Sequence, residues 1–548
     1  MTADTDPQWW QGAVIYQVYP LSFKDSNGDG VGDLPGVLQQ IAHIADLGVD
    51  ALWLSPFYRS PLKDYGYDVA DHTAVDPIFG TLEDFDQLLQ AAHSRGLKVM
   101  IDLVLSHTSD QHGWFAESRS SRDNPKADWY VWADPRPDGT PPNNWQSEFG
   151  GSAWRWCPER QQYFFHNFLP EQPDLNFHNP EVQQAMLQVA RFWLARGVDG
   201  FRLDALHCLF HDRRLRNNPP RPLDHPPPPE ARFKPRLWQI DRYNAYRPQV
   251  VDYIRQLRSL CNTYGAVTLA EVGEAEGSGT SAEYIRGNRR LHMAYNFSLL
   301  GSQLDPDRIR STLGAFGPGD WPCLSLGNHD VARPATRLAE SLGSDGASAK
   351  VRAAQAVMLP ALLSSVRAVS ALYQGDELGL TQPHVPPTQM RDPYGLTFHP
   401  VVTGRDGART PMPWVGSAPH GGFSTHRPWM PMADAHLKHA WDQQQHPESV
   451  LTRIQQFLHW RRRQPVLQTG DLTWLDAPAP LLAFDRALKD QRMRVVFNLS
   501  GKAKSWPVDD LTAWSTFEAL KGHGLPGSFD ASKGTLTLPP FGAWFGAC

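Results

Sequence analysis

The chain has 548 residues, too many for one ordinary domain and enough for a large α/β domain with smaller additions. Hydrophobic residues make up 41% of it, ample for a sizeable core, and a formal net charge of -6 gives no sign of nucleic-acid or membrane-surface binding. Five scattered cysteines (Cys157, Cys208, Cys261, Cys323 and Cys548) form no CxxC pair, so neither a disulfide framework nor a zinc site is expected.

The N-terminal MTADTDPQWWQG has no basic n-region or apolar h-region, and no uninterrupted apolar run is long enough to span a bilayer. A cytoplasmic protein is the expectation. Ala13–Tyr19 reads as a buried first strand. A helix follows with Leu38, Ile41, Ile44 and Leu47 at helical spacing, and Val49–Leu54 reads as the second strand. Thr81 and Asp84 open another helix with an N-cap residue and an early acid, and Leu97–Val104 is the third strand.

Val182, Met186, Val189 and Trp193 line a further helix, which leads into the strand Val198–Leu203. These three helices stop at Gly48, Gly96 and Gly197, each just before an apolar strand. Repeated helix–Gly–strand units predict a parallel sheet with helical crossovers. Val267–Leu269, His292–Phe297, Cys323–Leu326 and Ala368–Tyr373 bring the candidates to about eight, the number that closes a (β/α)8 TIM barrel.

The interval between the third and fourth strands is far longer than a βα unit needs. Residues 106–173, rich in Trp, Pro, Gly, Asn and Asp, are expected to form a small inserted domain at the strand C-terminal face. Residues 213–236 are dense in proline (Pro219, Pro220, Pro222, Pro226 to Pro229) and read either as a disordered loop or as a stiff wall over the site. Short runs with turn signals, Leu481–Phe484, Met493–Phe497 and Thr535–Leu538, predict a C-terminal antiparallel β domain. The expected partition is a barrel over 1–105 and 174–465, an inserted domain over 106–173 and a β domain over 466–548.

Catalytic groups in such barrels sit at the C-terminal ends of strands. Those ends carry Asp102 and His107, then Arg202 and Asp204, then Glu271, then Asn328-His329-Asp330. Arg202 and Asp204, two apart in a strand, share a face, so the guanidinium can hold that carboxylate ionised as a nucleophile. Converging acids repel, so at least one should have a raised pKa and serve as a proton donor. Such a set suits glycosidic bond cleavage. No Gly-rich phosphate loop, HExxH motif or GxSxG elbow competes.

The ordered motifs Asp102-Leu-Val-Leu-Ser-His107, Gln172-Pro-Asp-Leu-Asn176, Gly200-Phe-Arg-Leu-Asp204, Leu269-Ala-Glu271, Asn328-His-Asp330 and Gly404-Arg-Asp-Gly-Ala-Arg-Thr-Pro-Met-Pro-Trp414 cover most of the chain. On these the chain resembles the α-amylase superfamily, glycoside hydrolase family 13, and within it the α-glucosidases and oligosaccharide-cleaving enzymes. The resemblance implies Asp204 as nucleophile, Glu271 as general acid and base, and Asp330 as a clamp on sugar hydroxyls. Asp64, Tyr67, His107, Phe149, Phe168, Arg202, His329 and Arg405 would complete a pocket for a terminal glucose. Two departures stand out: Ser106 where many members have Asn, and Ala270 where glycine is usual before the acid. Glu274 is a rival for the acid role.

Asp25, Asn27, Asp29, Val31 and Asp33 alternate like the first half of a calcium loop but lack the bidentate Glu of its twelfth position. The resemblance implies a structural Ca2+ or Mg2+ there. It also implies maltose and malto-oligosaccharides as substrates and alcohols or sugars as glucosyl acceptors, with Ala205 like the small residue of α-1,4-preferring relatives. Sucrose hydrolysis, glucosyl transfer and trehalose formation use the same triad. A non-catalytic transporter subunit of this fold would carry a membrane span and lack the triad; this chain shows the reverse.

Overall fold

The protein was analysed as a computed structural model that describes residues 8–224, 229–273 and 280–548. Eight parallel strands close into a barrel: β1 Val14–Val18, β2 Ala51–Leu54, β3 Lys98–Val104, β4 Gly200–Asp204, β5 Val267–Glu271, β6 Met293–Asn296, β7 Pro322–Ser325 and β8 Val369–Tyr373. They neighbour one another in chain order, and β8 pairs with β1 to complete the ring, with Val14 opposite Ser370. Apart from Lys98, every strand residue is buried. Helices cover the outside and side chains fill the inside, which is why these segments read as continuous apolar runs and not as alternation.

The crossovers follow local chemistry. Leu82–Ser94 begins with a reciprocal capping box between Thr81 and Asp84, and Pro180–Ala195 is capped by the Asn179 side chain. Gly48, Gly96 and Gly197 take φ of 84°, 76° and 99°, the left-handed turn that sends each chain from helix back to sheet. One expectation needs correction. The helix predicted after β1 is two short pieces, Leu34–Gln39 and Ile41–Asp46, parted at Gln40, whose φ of -105° and ψ of 11° leave the helical region. Each piece buries its own residues, Leu34 and Val37 in the first, Ile41 and Ile44 in the second.

Between β3 and β4 the chain builds a separate three-stranded antiparallel sheet from Trp132–Ala133, Gln162–Phe165 and Trp154–Cys157. Trp145, Trp154 and Phe165 pack at its centre. Its two ends are tied together by a bridge between His107 and Asp174. After the barrel come a five-stranded antiparallel sheet, including Leu481–Leu488, Gln491–Asn498 and Ala543–Ala547, and a three-stranded one that includes Thr535–Leu538. All five cysteines are free thiols. Among the described residues, no helix is long and apolar enough to cross a membrane.

Candidate active site

Asp204 and Glu271 are the last residues of β4 and β5, so both carboxylates stand at the C-terminal mouth of the barrel. Arg202 lies beneath them. In the strand register it neighbours Asp102 of β3 and Leu269 of β5. Its Nη1 donates to Asp102 and, at 2.6 Å, to Asp204 Oδ1, while Nη2 bonds Glu271 Oε1. One fully buried cation therefore joins carboxylates from three adjacent strands. Trp53 fixes the far side: its Nε1 donates to Asp102 Oδ2 at 2.7 Å and its ring lies 5.3 Å from the guanidinium carbon.

Three buried acids share that one cation, so full ionisation of all three is unfavourable. Burial raises Glu271 well above the ordinary carboxylate range; Arg202 opposes the shift and the charge of Asp204 adds to it. Burial raises Asp204 as well, against the pull of Arg202. Asp102 is lifted to about 6 by burial, again opposed by Arg202. Arg202 also bonds both outer acids, and that contact favours their ionised forms. Burial is the larger cause at each, and Glu271 is the better place for a retained proton.

The turn after Asp204 is strained. Ala205 has φ of 40° and ψ of 41°, a left-handed conformation that is rare for a residue with a Cβ. The strain has a visible result: the Ala205 N–H donates to Glu271 Oε2 at 3.0 Å. The residue after one acid thus positions the other.

Across the mouth, Asp330 is held ionised. Burial pulls its pKa up, but His329, Arg405 and Arg409 outweigh that and bring it well below the usual range. Burial keeps His329 itself neutral, near 3, so the lasting attraction comes from the two guanidiniums. Arg405 Nη1 and Arg409 Nη2 reach Asp330 Oδ1 at 3.2 and 2.9 Å. Arg405 also bonds Asp64 at 2.8 Å and Asp392 at 2.7 Å. His329 is sandwiched between Tyr67 and Tyr19, with ring centroids at 5.4 and 5.6 Å, and bonds Gln17 Nε2 and the Tyr67 hydroxyl at 2.8 Å each. Ser106 bonds His107 Nδ1 through its hydroxyl at 2.9 Å.

These groups surround a cavity of about 510 Å³. Asp64, Tyr67, His107, Phe149, Phe168, Asp204, Glu271, Asp330 and Arg405 all line it, while Arg202 and His329 sit behind the lining and orient it. Phe149 stacks under Arg405 at 5.3 Å, and Phe168 lies 5.2 Å from His107. Arg221, Arg236 and Leu237 of the proline-dense segment form part of the wall. Pro226, Pro227 and Pro228 lie outside the described residues, as does the rival acid Glu274.

Sequence reasoning missed several members of the set. Arg409 and Gln172 lie within the motifs, but spacing alone assigns them no role; Gln172 donates to Asp64 Oδ2 at 3.3 Å. The sequence marks Asp102 as a strand-end acid but does not place it beside Arg202. Gln17 and Tyr19 carry no sequence signal because their partner His329 is remote in the chain, and Asp392 lies outside the motifs although Arg405 is only 13 residues on.

The loop at Asp25 to Asp33 presents hard-oxygen donors, chemistry that fits Ca2+ or Mg2+. Its side chains are occupied with one another's backbone. Asp25 accepts from Asn27, Gly28 and Gly30 N–H, Asn27 from Asp29, and Asp29 from Val31. Asp33 accepts from Ser26 and caps the next helix through Gly36. Among the described residues, no group of three His, Cys, Asp or Glu side chains closes round a metal position.

Comparison with known proteins agrees with this geometry. The alpha amylase catalytic domain model matches residues 17–470. A probable alpha-glucosidase of Rhizobium meliloti (strain 1021) is 46% identical over 554 residues, covering 99% of this chain and 97% of the relative. An oligo-1,6-glucosidase of Heyndrickxia coagulans is 34% identical, covering 92% and 94%. The crystal structure of an alpha-glucosyl transfer enzyme, XgtA, superposes with a TM-score of 0.92 at 47% identity, covering 99% of this chain and all of that one. The trehalulose synthase of Pseudomonas mesoacidophila MX-45 gives 0.86 at 30% identity, with 99% and 100% covered. The match runs from the first barrel strand to the edge of the C-terminal sheet and takes in every strand end described above, so the chain belongs to the alpha-amylase family of glycoside hydrolases.

Proposed function

We propose that the protein is a retaining, exo-acting α-glucosidase that takes terminal α-1,4-linked glucose from maltose and short malto-oligosaccharides and also transfers it to alcohol or sugar acceptors. The observation that carries this reading is the Arg202 guanidinium shared by Asp204 and Glu271, with the raised carboxyl on the Glu271 side. Asp204 Oδ would attack the anomeric carbon as the glycosidic C–O bond breaks, and the Glu271 proton would pass to the departing oxygen. A glucosyl ester on Asp204 results. Glu271, now ionised, would take a proton from water or an acceptor hydroxyl, whose oxygen displaces Asp204 and restores the α configuration. Asp330, ionised by its guanidinium neighbours, would bind ring hydroxyls and favour the cationic transition state.

Exo-action is supported by the Asp64–Arg405 pair and the proline-dense wall, which turn the mouth into a pocket. The α-1,4 preference is supported by the small Ala205 beside the nucleophile. Isomaltose cleaved much faster than maltose would overturn that part. A second reading is a sucrose hydrolase or glucosyltransferase, or a trehalose-forming isomerase, of the same family; the trehalulose synthase likeness favours it. Product NMR with maltose plus an alcohol acceptor, and parallel rates on isomaltose and sucrose, separates the readings. Retained α-glucoside and free glucose from maltose are expected, and an inverted first product would refute the covalent route. We also propose a structural Ca2+ or Mg2+ on the loop from Asp25 to Asp33, outside the chemistry. Its support is the alternating oxygen donors.

A further inference from the structure

A second cavity, of about 330 Å³, lies outside the barrel mouth between the segments around Gln389 and Trp429. Trp429, Arg391, Arg427, His420, Met432 and Asp434 are among its lining. The side chains of Arg391, Arg427 and His420 make no hydrogen bond or ion pair with any described residue. Two unpaired guanidiniums and an imidazole therefore face one concavity, with the carboxylate of Asp434 as the opposing charge. Arg391 and Arg427 are exposed and His420 is half-buried, so all three can reach a ligand in the cavity from its rim.

The cavity is held in shape. His420 has φ of 51°, left-handed for a residue with a Cβ, and Gly421 and Gly422 continue at 62° and 71°. That run folds the chain so that the imidazole reaches the cavity. Trp429 forms the floor and is pinned at both ends: its N–H donates to Gly30 O at 2.8 Å and its Nε1 to Ser22 Oγ at 3.1 Å. Tyr65 and Tyr19 pack against it at tilted angles, with ring centroids at 5.1 and 6.3 Å, which further fixes the ring. A fixed indole beside two guanidiniums combines a platform for an apolar sugar face with donors matched to phosphate oxygens.

We propose that this cavity is a second, non-catalytic binding site for a phosphorylated monosaccharide, with the pyranose against Trp429 and the phosphate between Arg391 and Arg427. The recognised chemistry is a phosphate monoester on a sugar ring. It is separate from the glucosyl pocket, where Arg405 is already paired with Asp64, Asp330 and Asp392 and Arg236 with Glu148 and Asp241.

The test is calorimetric titration of the full-length enzyme with glucose 6-phosphate, glucose and inorganic phosphate, repeated with the catalytic pocket saturated with glucose. Millimolar or tighter binding of glucose 6-phosphate is expected, persisting in glucose and weakened at least about tenfold in the double variant Arg391→Ala/Arg427→Ala. Maltose hydrolysis by that variant should remain at the wild-type level, which shows that it folds. No detectable binding, equal binding by the variant, or displacement by glucose would overturn the site. Inorganic phosphate binding as tightly as glucose 6-phosphate would overturn the sugar assignment, and glucose binding as tightly would overturn the phosphate assignment.

Discussion

At the scale of single residues, Asp204 and Glu271 differ by what surrounds them, not by kind. Arg202 contacts both and both are buried, yet the adjacent Asp204 charge adds to burial at Glu271 and biases the proton toward it. Asp204→Asn keeps the shape of the side chain and removes the nucleophile. Turnover on maltose should fall by on the order of 10^4-fold with the unfolding temperature little changed, and wild-type-like hydrolysis would refute the assignment. Glu271→Gln should be slow on maltose and far less impaired on aryl glucosides, whose leaving groups need no proton. If Glu274→Gln shows that rescue instead, the acid role moves there. The pH profile follows from the same pair. Both carboxyls titrate above ordinary carboxylate values, and activity needs one proton between them. The kcat/KM of the wild type should fall in acid as the second proton is taken up, and in alkali as the last one leaves. In Glu271→Gln the alkaline limb should disappear; its persistence would assign that limb to another group.

At the scale of elements, β4 and the turn after it do the most. The alternation of a strand puts Arg202 and Asp204 on one face, and this was legible because only the local backbone is involved. The left-handed Ala205 was not legible, since nothing in its identity requires positive φ; the packing around Glu271 imposes it. The loop from Asp25 to Asp33 shows the same division. Its alternating oxygens could be read, but not that Gly30, at φ of 92°, lies where a Cβ would meet Arg427 O at 2.3 Å. Gly30→Ala should therefore cost at least about 1–3 kcal/mol, read as a lowered unfolding temperature by calorimetry. For a structural cation, the expected outcome is a fall in unfolding temperature on chelation that added Ca2+ or Mg2+ reverses. An unchanged melt would remove the ion from the loop.

At the scale of the whole molecule, the cavity is assembled from pieces that meet only after folding. Arg236 of the proline-dense segment bonds Glu148 of the segment inserted after β3 at 3.2 Å and Asp241 of its own segment at 2.9 Å. This pair joins two walls that the barrel itself does not connect. Arg236→Ala should loosen that wall and raise the KM for maltose about fivefold, roughly 1 kcal/mol of uniform binding, with kcat nearly unchanged. The ratio of maltotriose to maltose cleavage should rise at the same time. A change confined to kcat would show that Arg236 acts on the chemical step and not on the wall.

The order of helix, glycine and apolar strand was enough to announce a parallel barrel, because capping, left-handed glycine and continuous burial are dictated within a few residues of chain. The motif acids could be named for the same reason, as strand ends. What only the tertiary structure decided was which charges meet. Arg202 found Asp102 a hundred residues away, and Arg405 found Asp64 from 341 residues away. Ionisation of buried groups depends on those distant neighbours, so the division of one proton between Asp204 and Glu271 is a property of the closed barrel and not of any segment of its sequence.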